Sequence, residues 1–175
     1  MKLVIASDIH GSALCTELLM QRVEEEQPDR IVLLGDLLYH GPRNPLPEGH
    51  GPMRVAELLN AQREWIIAVR GNCDAEVDQM VLDFPCMDDF AKLEDEGRTL
   101  FFTHGHVFSP DEHPALCEGD FFFSGHTHVK TNDVRNGVTY VNPGSTSLPK
   151  DGSRSFAVYD NGEVVLKELE TGKEI

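Results

Sequence analysis

An α/β fold of two packed β-sheets with helices outside is the architecture this sequence predicts, on three observations. Five short apolar runs, rich in β-branched and aromatic residues, stop abruptly at residue types that ligate metals, which reads as buried strands with functional ends. Over the first 70 residues these runs alternate with amphipathic segments, the pattern of a sheet flanked by helices. After about residue 97 the chain changes to strands joined by tight turns.

Lys2–Ser7 is the first strand, and Gly11-Ser12 leads into a helix with Leu14, Leu18, Leu19 and Val23 on one face and acidic residues near its end. Arg30–Leu34 is the second strand and runs into Gly35-Asp36. A long loop follows, stiffened by Pro42, Pro45, Pro47 and Pro52. It serves either as a wall beside the strand ends or as a contact in a homo-oligomer. A helix with Val55, Leu58 and Leu59 returns the chain to a third strand, Trp65–Val69, which ends at Gly71-Asn72-Cys73-Asp74. The later strands are Arg98–Phe102, Phe121–Phe123, Val138–Val141, Phe156–Tyr159 and Val164–Leu169. Asn136-Gly137 and Asn161-Gly162 are two-residue hairpin signals. The phenylalanine runs are expected core.

With 175 residues, one domain spanning 1–175 is expected, large enough to bury a core without staples. No apolar run approaches membrane-spanning length, and the first strand starts almost at Met1, which leaves no room for a signal peptide. Cys15, Cys73, Cys86 and Cys117 form no C-x-x-C pair, so a reduced, cytoplasmic setting is expected. The formal charge is −15, from 30 acidic against 15 basic residues. Such a surface repels polyanions, which argues against long DNA or RNA as substrate.

Neighbouring strand ends gather ligands along one rim of an open α/β sheet. The five junctions therefore bring Asp8, His10, Asp36, Asn72, His104, His126 and His128 together. In Asp8-x-His10 and His126-x-His128, the spacing of two would aim both side chains the same way in extended chain. Gly35, Gly71, Gly105 and Gly125 allow the tight turns between ligands. Oxygen and imidazole donors without thiolate suit Mn²⁺, Fe, Co²⁺, Ni²⁺ or Zn²⁺.

The order of these motifs resembles the calcineurin-like metallophosphoesterase superfamily, which runs D-x-H, G-D, G-N-[H/C]-[D/E], H and G-H-x-H. His40–Asn44 and Arg70–Met80 are most similar to its small bacterial YfcE-type phosphodiesterases, which also carry a segment like Asn142-Pro143-Gly144-Ser145. The resemblance implies a four-layer metallo-dependent phosphatase fold, two mixed sheets flanked by helices. It implies a dinuclear centre of two divalent ions, Mn²⁺ first among them, and a small phosphodiester substrate. Asp8, His10, Asp36 and His128 would hold one ion. Asp36, Asn72, His104 and His126 would hold the other, with Asp36 bridging. Only two carboxylates then offset two divalent ions, and the surplus charge can hold a nucleophile and an anionic phosphate together.

Asn72, Cys73 and Asp74 are the catalytic candidates. Cys73 departs from the histidine that many members place there to protonate the leaving group. A thiol near its ordinary pKa of ~8.5 is a poorer acid at neutral pH, and the alternative is that Cys73 is a small filler. Asp74 either orients a ligand or is a turn residue. Arg43 is a candidate phosphate fork. His106 is a candidate substrate contact, with a solvated loop histidine as the alternative. Asn142–Ser145 is expected beside the metals, its backbone supporting His126. The sequence leaves two rival functions open. A phosphomonoesterase or protein phosphatase is one, although this short chain leaves little length for peptide recognition. A non-catalytic, retromer-like scaffold is the other; such scaffolds lose site histidines, whereas this sequence keeps all seven ligand positions.

Overall fold

The computed structural model describes residues 1–175 and starts with β1 (Lys2–Ala6), whose side chains alternate between two buried faces. Leu3 and Ile5 face one core, Val4 and Ala6 the other, as a central strand requires. Helix α1 (Ala13–Glu26) is capped by Ser12, whose Oγ accepts the Cys15 N–H at 3.2 Å. Its buried stripe is Cys15, Thr16 and Leu19; Leu18 and Val23 sit at the margin, and Leu14, expected inward, is exposed. Then come β2 (Arg30–Leu33), α2 (Pro52–Asn60), β3 (Ile66–Ala68) and the one-turn α3 (Glu76–Gln79). The second half supplies β4 (Phe90–Asp95), β5 (Arg98–Thr103), β6 (Phe121–Phe123), β7 (Thr131–Arg135), β8 (Val138–Asn142), β9 (Ser155–Asp160) and β10 (Glu163–Glu168).

These strands make two mixed five-stranded sheets, ordered β10-β9-β1-β2-β3 and β4-β5-β6-β8-β7. In the first, β1, β2 and β3 are parallel; in the second, β5, β6 and β8 are. The expected four-layer arrangement of two packed sheets is what forms. Between the sheets lies one core, including Leu3, Ile5, Val32, Phe102, Phe123 and Tyr159. A second core, including Val4, Leu19, Leu33, Val55 and Leu59, packs the first sheet against its helices. The outer layer on the second sheet is irregular chain: Phe108 and Leu116 cover Phe101, Phe122, Val138 and Tyr140. No helix is long and apolar enough to cross a membrane.

Both expected hairpin turns are present, with positive φ at Asn136-Gly137 (52° and 82°) and Asn161-Gly162 (49° and 95°). Glu96-Gly97 (52° and 80°) makes a third, joining β4 to β5. Because β1 to β3 are parallel to one another, as are β5 and β6, their carboxyl ends reach one rim. There the Asp8 N–H donates to the Gly35 carbonyl at 3.2 Å, and the His126 N–H to Asp8 Oδ2 at 3.0 Å.

Candidate metal centre

Every sequence-expected ligand sits just past the end of its strand: Asp8 and His10 after β1, Asp36 after β2, Asn72 after β3, His104 after β5, His126 and His128 after β6. Backbone bonds lock these segments together, His10 N–H to the Asp36 carbonyl at 2.8 Å and Gly125 N–H to the His104 carbonyl at 2.8 Å.

The local conformation differs from the extended chain expected for the two paired motifs. Asp8 (φ 57°), His10 (50°), Asp36 (54°), His126 (68°) and His128 (60°) are all left-handed. The partners therefore converge through tight turns rather than through strand alternation. Left-handed L-residues cost roughly 1–2 kcal/mol each, and such strain gathers where function requires it. The surrounding bonds that hold it are visible. Ser7 Oγ donates to Asp8 Oδ2 at 2.6 Å, and the hydroxyls of Ser145 and Ser147 donate to the Asp8 carbonyl at 2.8 and 3.0 Å.

Three imidazoles have their protons assigned by backbone partners. Nδ1–H of His10 donates to the Tyr39 carbonyl (2.9 Å), that of His104 to Leu34 (2.7 Å) and that of His128 to Leu148 (2.6 Å). With Nδ1–H donated outward, each ring turns its Nε2 inward, the arrangement of a metal-binding histidine. His10 Nε2 lies 3.2 Å from His128 Nε2, and His104 Nε2 lies 3.0 Å from Asn72 Oδ1 and 3.2 Å from His126 Nδ1. Lone pairs this close repel unless a cation lies among them. Asp8 Oδ1 is buried without any hydrogen-bond partner, 3.2 Å from His128 Nε2. An orphaned carboxylate oxygen beside three inward lone pairs fits divalent cations. Asp36 Oδ2 lies 3.7 Å from His10 Nε2 and 3.5 Å from His104 Nε2, between the two groups of donors.

The field there favours positive charge. Burial works to raise the Asp8 pKa, but the His10 and His128 imidazoles outweigh it and hold the carboxyl well below its usual range. Burial works to lower His10, but Asp8 and Asp36 raise it overall. His126 and His106 are lowered, by burial and then by His104.

Asp74 is fully engaged with backbone. It is buried, and its Oδ2 accepts the N–H groups of Asp36 (2.8 Å) and Gly71 (2.7 Å) while its Oδ1 accepts that of Leu37 (2.8 Å). It thereby fixes the turn that presents Asp36. Gly71 permits the same approach: a Cβ there would stand 2.1 Å from Asp36 Oδ1 and 2.3 Å from its nitrogen. The Cys73 N–H donates to Asp36 Oδ1 at 2.7 Å.

Cys73 Sγ falls within 4.8 Å of donor atoms of His10 and Asp36, so a sulfur borders the oxygen and nitrogen set. Burial, then the Asp36 and Asp74 charges, push its thiol up to about 12, which makes it a poor proton donor at neutral pH. Arg43 lines a cavity of about 370 Å³ together with Asp36, Asn72, Cys73, His126 and His128. His106 is exposed and does not line it; its ring stands 5.3 Å from that of His104. Asn142 supports the His126 turn with its side chain rather than its backbone, Nδ2 donating to the Gly125 carbonyl at 2.7 Å and to Thr127 Oγ1 at 3.0 Å. Sequence reading missed Ser7, Asn44 and Lys150. The last two line the cavity; Asn44 belongs to the His40–Asn44 stretch but its amide alone suggests no role, and a lone lysine in a loop carries no motif.

Residues 1–163 match the model of the calcineurin-like phosphoesterase superfamily domain. The chain belongs to that superfamily. It is 48% identical over 162 residues to phosphodiesterase YfcE of Escherichia coli K12, an alignment covering 92% of this chain and 88% of that one. The solved structure of YfcE, described as a phosphoesterase from E. coli, superposes with a TM-score of 0.97 at 44% identity, covering 100% of this chain and 97% of the other. A more distant relative is phosphodiesterase MJ0936 of Methanocaldococcus jannaschii, 27% identical over 180 residues, covering 95% of this chain and 100% of that one. Superfamily membership and the His/Asp cluster agree on divalent-metal binding.

Proposed function

We propose that this calcineurin-like phosphoesterase is a metal-dependent hydrolase of small organic phosphodiesters, working with two divalent ions, Mn²⁺ by preference. The observation that carries the metal reading is the donor set: inward Nε2 lone pairs at His10, His104 and His128 around the orphaned Asp8 Oδ1. Asp8, His10, Asp36 and His128 would hold one ion and Asp36, Asn72, His104 and His126 the other. When bound, such a pair lowers the pKa of water and draws charge from a phosphoryl oxygen. The chain's own contribution is placement. Carbonyls of Tyr39, Leu34 and Leu148 fix the tautomers, Asp74 holds the Asp36 turn, and the strained turns keep the donors preorganised. Asn72 would touch both metal and substrate oxygen. Cys73, whose thiol pKa is pushed up by burial and the Asp36 charge, would be a less effective leaving-group acid than an imidazolium, which favours esters whose alcohol departs unaided. Arg43 would meet an anionic group of the substrate from the pocket wall, whereas His106 lies at the margin. The loop from His40 to Pro52 is read as a wall of the pocket, since Gly41 to Asn44 line it.

The diester preference draws on the names of the two curated relatives, both phosphodiesterases. The scaffold reading is disfavoured by the retained donors, and a polyanionic substrate by the charge of −15. We further propose one catalytic domain over residues 1–175, working in a reducing cytoplasm. The deciding experiment is turnover of bis-(p-nitrophenyl) phosphate and p-nitrophenyl phosphate by Mn²⁺-loaded protein. Faster diester hydrolysis that a chelator abolishes is expected; monoester-only activity, or none, would overturn the proposal.

A further inference from the structure

We propose that Arg43 and Lys150 form a cationic clamp that selects phosphodiesters bearing a second anionic group on one alcohol. The proposal rests on the dinuclear phosphodiesterase reading and adds the substrate class. Both residues line the 370 Å³ cavity that Asp36, Asn72, His126 and His128 also line, and they reach it from different loops. Arg43 comes from the loop after β2, in a turn closed by Asn44 Nδ2 donating to the His40 carbonyl at 2.8 Å. Lys150 comes from the loop between β8 and β9, its N–H donating to the His128 carbonyl at 3.0 Å, while His128 Nδ1–H donates to Leu148 at 2.6 Å. Lys150 is thereby fastened to a candidate ligand.

Neither cation has a carboxylate within ion-pair distance. Elsewhere most basic side chains of this acidic chain are paired, as Lys130 is with Asp151 and Arg154 with Glu48 and Glu170. Charge counting then sets the ligand. Two divalent ions against Asp8 and Asp36 leave a surplus of two positive charges, which an anionic nucleophile and a simple diester cancel. Arg43 and Lys150 add two more, and a monoanionic diester leaves them uncompensated. A carboxylate on the alcohol offsets one of these charges and a further, dianionic phosphate offsets both. Apart from Pro42 and Cys73 the lining is polar, so an acyl chain finds no apolar wall. The substrates are small and polar and carry at least two negative charges.

The test compares the methyl, carboxymethyl and 2-phosphoethyl esters of p-nitrophenyl phosphate, with kcat and KM for each. Wild type should favour at least one charged ester over the methyl ester by about tenfold in kcat/KM, carried by KM, as expected of a charge-assisted contact; which of the two identifies the group. Arg43→Gln and Lys150→Gln should each shrink that ratio to about twofold, and Lys150→Arg should retain it. Structural damage lowers all three esters together and leaves the ratio alone. Calorimetry with non-cleavable methyl and carboxymethyl phosphonate diesters reads the same ratio as binding. Failure to turn over any ester would count against the phosphodiesterase reading, while the binding ratio still decides the clamp. Equal binding of the charged and uncharged analogues by wild type, or an unchanged ratio in both glutamine variants, overturns it.

Discussion

Asp74→Asn tests whether this buried carboxylate acts through Asp36. The one oxygen left on the substituted side chain could keep the N–H donors of Asp36 and Gly71, which now share Oδ2. The new amide nitrogen would then confront the Leu37 N–H, donor against donor. Losing one charge-assisted bond costs about 1.5–3 kcal/mol. Burial raises the Asp74 pKa against the pull of its backbone partners, so removing the charge returns part of that cost. The net loss is about 2 kcal/mol, or roughly 4–8 °C in Tm for a chain of this length. Metal affinity should fall about 10–100-fold, the usual consequence of disturbing a group that orients a ligand. Urea unfolding of the metal-free protein reads the first quantity, and competition with a fluorescent chelator for Mn²⁺ reads the second. Full loss of stability with affinity unchanged would make Asp74 a turn residue only. Unchanged stability would refute the hydrogen-bond argument itself.

Gly71→Ala should be harsher, because its Cβ would meet Asp36 backbone and carboxylate at 2.1–2.3 Å; poor folding or lost metal binding is expected, and a normal metal titration would contradict the close approach. Stability should also depend on pH through Glu26, whose carboxyl burial works to raise but which Lys167 and Lys2 hold below its ordinary 4.5. A depressed carboxyl contributes stability above its unfolded pKa and loses it as pH falls through the folded one. Glu26→Gln should therefore lower the urea midpoint at pH 7 and much less at pH 3, and an equal gap at both would refute the pairing. Cys73→His should raise kcat for an alkyl ester more than for a nitrophenyl ester, by less than the ~10²–10⁴ of a supported acid. The gain is limited by Gly41, where even an added Cβ would stand 2.9 Å from Cys73 Sγ; no differential gain leaves Cys73 as packing.

The central strands were legible because both faces are buried: Leu3-Val4-Ile5-Ala6 and Phe121-Phe122-Phe123 read as continuous apolar runs. Strand β7, Thr131–Arg135, was not, since every residue on this edge is exposed and no pattern marks it. Strand β4 was missed because Phe90–Asp95 buries little, and its turn uses Glu96-Gly97 in place of the usual Asn-Gly. The irregular outer layer on the second sheet has no periodicity to read. In the site, the sequence revealed which residue types end the strands but not their backbone. Left-handed conformations at Asp8, His10, Asp36, His126 and His128 follow from tertiary bonding, such as that of Ser145 and Ser147 to the Asp8 carbonyl. Lys150 stayed hidden for a similar reason, since only folding brings it beside His128.

Metal stoichiometry tests the central claim most directly. Protein loaded with Mn²⁺, freed of excess and analysed for metal and protein should carry about two ions per chain. Asp36→Asn should reduce this to about one or none, because one carboxylate lies between both groups of donors. Less than one ion per chain in the wild-type protein, or two retained in Asp36→Asn, would contradict the dinuclear account.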